Sequence, residues 1–209
     1  MDIHYHILDE QRQSILPKLT PFRELGYYLA GGTALALQIG HRDSIDFNFF
    51  CPNSFDTALL FTYLEHAFSG HTIVRIQEEE NTLEILVAGT IRLSFMTYAY
   101  PLISPLVRTE FFDMASLSDI GCMKLSAITS RTAYKDYVDL YFILQSLSLS
   151  DLIQNLSKKL PTLDPLLALK SLVYFDDIQP EEILYKTLPL HIETIKAFLT
   201  LTVTNYQTH

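Results

Sequence analysis

Apolar residues recur at two different spacings along this chain, and the change from one to the other divides it. Over residues 1–100 short apolar runs alternate with turn signals. Ile7, Leu8, Ile15, Leu16 and Leu19 fall on one stripe and predict a helix over 7–19. Tyr27-Tyr28-Leu29-Ala30 is a short apolar run that ends on Gly31-Gly32. Thr33 then opens a run of good helix formers that Gly40 stops. Residues 44–50 alternate polar with apolar, the period of a strand. Pro52-Asn53-Ser54 turns the chain, and 56–68 returns to a helical pattern. Strands are predicted over 72–77, 82–87 and 90–96, with Ala88-Gly89 as a hairpin turn and Glu78-Glu79-Glu80 as a solvated tip.

After Pro101 and Pro105 the period becomes helical throughout. Ser118 can cap a helix over 119–131, a second is expected over 134–147, and Ser150 can cap a third. Pro165 suits the first turn of a fourth, Pro180 precedes a fifth, and a last helix is expected over 190–203. The pattern is that of an α+β protein, with a sheet-bearing part over 1–105 and a helical part over 106–209.

Composition narrows the class. With 209 residues, 48% of them hydrophobic and 19% charged, the chain can bury a large core and is not disordered. Its apolar stretches break within about a dozen residues, short of the roughly 20 that cross a bilayer. The first 20 residues do not read as a signal peptide. Cys51 and Cys122 lie far apart with no CxxC, which excludes a cysteine-rich zinc module and suits two free thiols in a reducing, cytoplasmic setting. The net charge, 15 − 24 = −9, repels phosphate backbones at long range but leaves a local basic pocket open.

The chemistry concentrates in Leu29-Ala30-Gly31-Gly32-Thr33 and, thirteen residues on, Asp46-Phe47-Asn48. A strand ending in two glycines lets a ligand approach the backbone closely. The helix that follows offers unpaired N–H groups and a positive dipole end to a phosphate. Positions 46 and 48 share one face of the next strand, and Mg²⁺ is commonly held by one or two carboxylates plus substrate phosphates. Together they describe metal-assisted nucleotidyl transfer.

These residues resemble the nucleotidyltransferase signature and, more narrowly, the AbiEii/AbiGii toxin family. The first block runs from Leu29 through Leu37, with Gly40-His41-Arg42, Ser44 and Asp46 to Phe50. A second block runs Asp119-Ile120-Gly121-Cys122-Met123-Lys124 to Ile128, with Arg131 and Lys135-Asp136-Tyr137-Val138-Asp139-Leu140-Tyr141. The resemblance implies a small mixed sheet of nucleotidyltransferase type with flanking helices and a helical C-terminal part. It implies a nucleoside triphosphate as substrate, Mg²⁺ as cofactor, an antitoxin protein as partner and RNA as a possible acceptor. On that pattern Gly31, Gly32 and Thr33 hold the triphosphate beside Arg42, and Asp46 holds a metal with Asn48. Lys124 contacts phosphate, and Asp136 or Asp139 acts with it. Two positions depart from the pattern: Asn48 stands where the family carries a second acid, and Ser94 where the superfamily often carries a third.

Each residue also has a plainer reading. Thr33 is equally suited to capping a helix, and Arg42 to answering a helix C-terminus. Ile45, Phe47 and Phe49 are expected to be buried and to fix the direction of Asp46. Lys124 lies on an apolar stripe with Ile120, Ile128 and Arg131, so it either meets a phosphate or pairs with Asp136 or Asp139 in a structural cluster. Tyr98 and Tyr100 stack a base or pack a sheet edge. A catalytically silent nucleotide-binding or interaction module of the same fold is the alternative to an enzyme.

Overall fold

A computed structural model describes residues 2–179 and 181–207. The chain divides into two compact units, one of residues 1–101 and 105–115, the other of 102–104 and 116–209.

The first unit is built on a seven-stranded mixed sheet. Its strands are β1 (Tyr28–Ala30), β2 (Phe47–Cys51), β3 (Ile73–Glu79), β4 (Thr82–Val87), β5 (Ile91–Thr97), β6 (Val107–Arg108) and β7 (Asp113–Met114), in the order β3-β4-β5-β2-β1-β7-β6. β2 lies antiparallel to β1 and parallel to β5, so it is paired on both edges. Alternation sends Phe47, Phe49, Leu83, Ile85, Leu93 and Phe95 into the core. Phe95 stacks on Phe49 at 5.3 Å and meets Phe22 and Tyr27 at 5.2 Å. Residues 106–115, read from sequence as the start of the helical part, instead extend this sheet through β6 and β7. Two-residue strands carry too few positions to show a period.

The helix expected over 7–19 forms only as α1 (Glu10–Ile15), followed by a 3₁₀ turn over Leu16–Leu19 and α2 (Thr20–Glu24). Pro17 and Pro21 remove the N–H groups a continuous helix would need. α3 (Gly31–Ile39) follows β1 and stops at Gly40, whose φ of +64° is the left-handed cap. α4 (Thr57–Ala67) is capped by Asp56. Ala88 and Gly89, both at positive φ, turn β4 into β5.

The second unit is helical: α5 (Leu117–Ile128), α6 (Tyr134–Ile143), α7 (Leu149–Lys159), α8 (Pro165–Leu172) and α9 (Ile192–Gln207). The caps of α5 and α7 are Ser116 and Ser148, not Ser118 and Ser150. Both begin the sequence Ser-Leu-Ser-Asp, and in each the first serine accepts the N–H of the aspartate three residues on. Only the first serine of each has that acid at the correct offset. Pro180, read as preceding a helix, lies outside the described residues, and no helix forms over 181–190. Among the described residues no helix is long and apolar enough to cross a membrane.

Candidate functional site

β1 ends at Ala30 and α3 begins at the next residue. That reversal needs a φ of +74°, which Gly31 supplies and a Cβ would oppose. A Cβ on Gly31 would stand 3.6 Å from Asn48 Nδ2, so the turn lies beside the amide of the second strand. Gly32 permits close approach instead. A Cβ there would come within 2.7 Å of Arg42 Nη2 and 3.1 Å of Ser44 Oγ. Ala30 makes no side-chain hydrogen bond to the first turn of α3, so that turn presents its N–H groups and the positive end of the dipole. The buried Arg42 guanidinium lies against the same turn, with Nη1 donating to the Asp43 carbonyl at 2.7 Å. The charge and the helix end agree in sign, which favours an anion.

Asp46 stands one residue before the β2 ladder and Asn48 within it, both half-buried. By alternation they lie on the side opposite the buried Phe47 and Phe49. Ile45 does not share that burial: it is 54% exposed, because it precedes the ladder. Asn48 pairs with Ala30 on one side and Ser94 on the other. Ser94 is buried and donates through Oγ to Glu84 Oε2 at 3.3 Å, and Glu84 pairs with Arg92 at 3.0 Å. The rung where a further acid was expected thus holds a hydroxyl turned toward the neighbouring strand. Among the described residues no three His, Cys, Asp or Glu side chains gather as a metal cage. A single carboxylate and an amide oxygen suit one hard cation completed by phosphate and water, and do not suit a metal pair.

Thr33 is corrected by its surroundings. Its side chain is fully buried, and Oγ1 donates to the Asp46 carbonyl at 2.5 Å. With its one proton so used, Thr33 accepts from Ser44 Oγ at 2.8 Å. The hydroxyl ties α3 to the acidic strand rather than facing a ligand. Sequence reasoning missed the partner of this tie. Arg12, buried on α1, donates through Nε to the Ile45 carbonyl at 2.9 Å and through Nη2 to the Thr90 carbonyl at 3.2 Å. Its Nη1 is paired with Asp9.

In the second unit Lys124 Nζ lies 2.6 Å from Asp136 Oδ1 and 2.5 Å from Asp139 Oδ2, with both carboxylates fully buried. Arg131 Nε donates to the other oxygen of Asp136 at 2.7 Å. The amine expected on the apolar stripe therefore pairs with both carboxylates named for it. Burial pushes the Asp136 carboxyl up, but the Lys124 amine and the Arg131 guanidinium outweigh it and hold the group below the usual carboxylate range. A second buried pair, Lys159 with Asp119 at 2.7 Å, also receives Ile103 N, Ser104 N and Ser116 Oγ. It ties the 102–104 segment to α5. Tyr98 packs edge-to-face between Phe50 at 5.6 Å and Tyr100 at 4.9 Å, the packing expected of a sheet edge.

The family profile described as nucleotidyl transferase AbiEii toxin, type IV TA system, matches residues 19–201. An uncharacterised protein of Aquifex aeolicus (strain VF5) is 33% identical over 194 residues, spanning 86% of this chain and 87% of that one. Among solved structures, MenT4, a nucleotidyltransferase toxin of Mycobacterium tuberculosis, superposes with a TM-score of 0.64 at 16% identity, covering 95% of this chain and 82% of that one. JHP933 from Helicobacter pylori superposes at 0.55 and 16%, covering 99% and 95%. At those identities the structures share the fold.

Proposed function

Since the chain belongs to the AbiEii nucleotidyltransferase toxin family, we propose that it transfers a nucleotide from a nucleoside triphosphate to an acceptor hydroxyl, in a reaction assisted by Mg²⁺. The observation that carries this reading is the convergence of the Gly31–Gly32 turn, Arg42, Asn48 and the Asp46 backbone around the open first turn of α3. The amides of that turn and the Arg42 guanidinium hold the phosphates. Asp46 and the Asn48 amide oxygen hold one Mg²⁺, which supplies charge neutralisation at the reacting phosphate when bound. An acceptor hydroxyl displaces pyrophosphate from the α-phosphate, and the fixed donors stabilise the charge that develops there.

Lys124, Asp136 and Asp139 enter the proposal as catalytic residues, with a condition that their pairing imposes. For the amine to meet a phosphate it must first release a carboxylate held at 2.5 or 2.6 Å. An acceptor RNA and a cognate antitoxin are proposed from family membership alone. Asn48 and Ser94 favour a second reading, a nucleotide-binding module without transfer activity, because one carboxylate remains where the family pattern carries more.

The test is titration calorimetry with ATP, GTP, CTP and UTP, with and without Mg²⁺, followed by transfer of α-labelled nucleotide to RNA. Binding that requires Mg²⁺ and is lost in Asp46→Ala, together with labelled acceptor, supports the enzyme. Binding without Mg²⁺ and without transfer supports the silent module. Absence of binding by all four nucleotides refutes both.

A further inference from the structure

Asp46 is the one carboxylate of the proposed metal site, yet it lies outside the β2 ladder, which begins at Phe47. Sheet hydrogen bonds do not fix its backbone. The two carbonyls that flank it are fixed by side chains from elsewhere. Arg12 donates to the carbonyl of Ile45 at 2.9 Å, and Thr33 donates to the carbonyl of Asp46 itself at 2.5 Å. Both donors are buried, Arg12 at 7% exposure and Thr33 at 0%. Consecutive peptide planes held in this way leave the Asp46 Cα little freedom to turn, and with it the direction of its side chain.

Neither donor is held loosely. Arg12 Nη2 is anchored on the Thr90 carbonyl in the β4–β5 turn and Nη1 on Asp9, the residue that caps α1. Thr33 sits in the first turn of α3 and receives Ser44 Oγ. The Asp46 backbone is thereby referenced to α1, to the β4–β5 turn and to the helix whose N-terminus faces the phosphates.

Resting on the nucleotidyl-transfer reading above, we infer that Arg12 and Thr33 are positioning residues, which aim the Asp46 carboxylate at the metal without touching metal or nucleotide. Their effect is on metal binding and on the order of one short segment. A residue that served the core alone would lower stability without moving metal affinity.

The experiment compares wild type with Arg12→Met, Thr33→Val and the hydroxyl-retaining Thr33→Ser. Amide hydrogen exchange is read over residues 43–48, and Mn²⁺ binding by water-proton relaxation, with and without ATP. Arg12→Met and Thr33→Val should speed exchange in that segment and weaken Mn²⁺ binding, each roughly ten-fold, the scale of losing one hydrogen bond that involves a charged or fully buried partner. Thr33→Ser should return both readings to within about two-fold of wild type, because it keeps that hydrogen bond. Faster exchange with unchanged Mn²⁺ affinity overturns the positioning role, as does unchanged exchange in both variants. Wild-type protein that binds no Mn²⁺ in either condition overturns the site and this role with it, and so is distinguishable from failure of the role alone.

Discussion

Replacing Lys124 with methionine tests the buried charge cluster most directly. Methionine preserves much of the aliphatic stem but removes the ammonium from between two fully buried carboxylates, 2.6 and 2.5 Å away. Breaking a buried pair from one side strands its counter-charge, at a cost of about 3–5 kcal/mol. Asp136 keeps Arg131 at 2.7 Å, so it retains a counter-charge in the variant. The sign with pH follows from the direction of the shifts. In the wild type the Asp136 carboxyl is held low, so its contribution is full above about pH 4 and is lost only as pH falls below that. In the variant the Lys124 charge that helps hold Asp136 low is gone, so that carboxyl rises from its wild-type position, the native state takes up protons and the deficit shrinks as pH falls toward 4. Urea unfolding followed by circular dichroism at pH 7.5 and pH 4.5 reads both effects. Asp139→Asn on the Lys124→Met background should recover about half the loss at pH 7.5, because it removes one of the two buried negative charges that shared the amine. A single-variant cost below about 1 kcal/mol at pH 7.5 would refute the reasoning, since an exposed pair costs no more than that. A cost independent of pH would refute it as well.

Gly31→Ala should cost about 1–2 kcal/mol in thermal unfolding, because its Cβ opposes the φ of +74° while meeting nothing closer than 3.6 Å. Gly121→Ala should destabilise the helical unit by about 1–3 kcal/mol, since its Cβ would stand 2.7 Å from Leu152 Cδ1 and 3.3 Å from Ile143 Cγ2. Asn48→Asp should tighten Mg²⁺-dependent nucleotide binding measured by calorimetry, and an unchanged constant would remove that side chain from the metal. Cys122, its pKa pushed up to about 12 by burial and by the Asp119 charge, should resist a thiol reagent at pH 8 until the protein is unfolded. Between pH 9 and 12 the unfolded thiol ionises while the native one does not, so Cys122 should make stability fall across that window.

How far the sequence carried depended on the range of the interaction concerned. β2 and β4 are legible because each is five or more residues of alternating burial. β6 and β7 are not, because two paired residues leave no period. Pro17 was visible, yet the apolar stripe across it hid the break it imposes. The glycine turn and the Asp46 strand were legible because backbone geometry constrains which residues can stand there. Lys124 was legible as an amine in an apolar setting, but which of its two satisfiers it takes is a matter of tertiary placement. Arg12 left no trace at all. Its partners Ile45 and Thr90 lie 33 and 78 residues away and accept through main-chain oxygens, which any residue type provides.

β2 is clasped along both edges, by β1 and by β5, and its side chains swap sides at every step. A single residue added among 47–51 would push a phenylalanine ring into the place of the Asn48 amide and bury an amide where Phe49 now stacks. The loop over 40–45 is held by side chains instead, through Arg42 and Ser44 against the Gly32 turn and Arg12 on the Ile45 carbonyl. Lineages descended from this protein can therefore revise the strand only by exchanging one side chain for another.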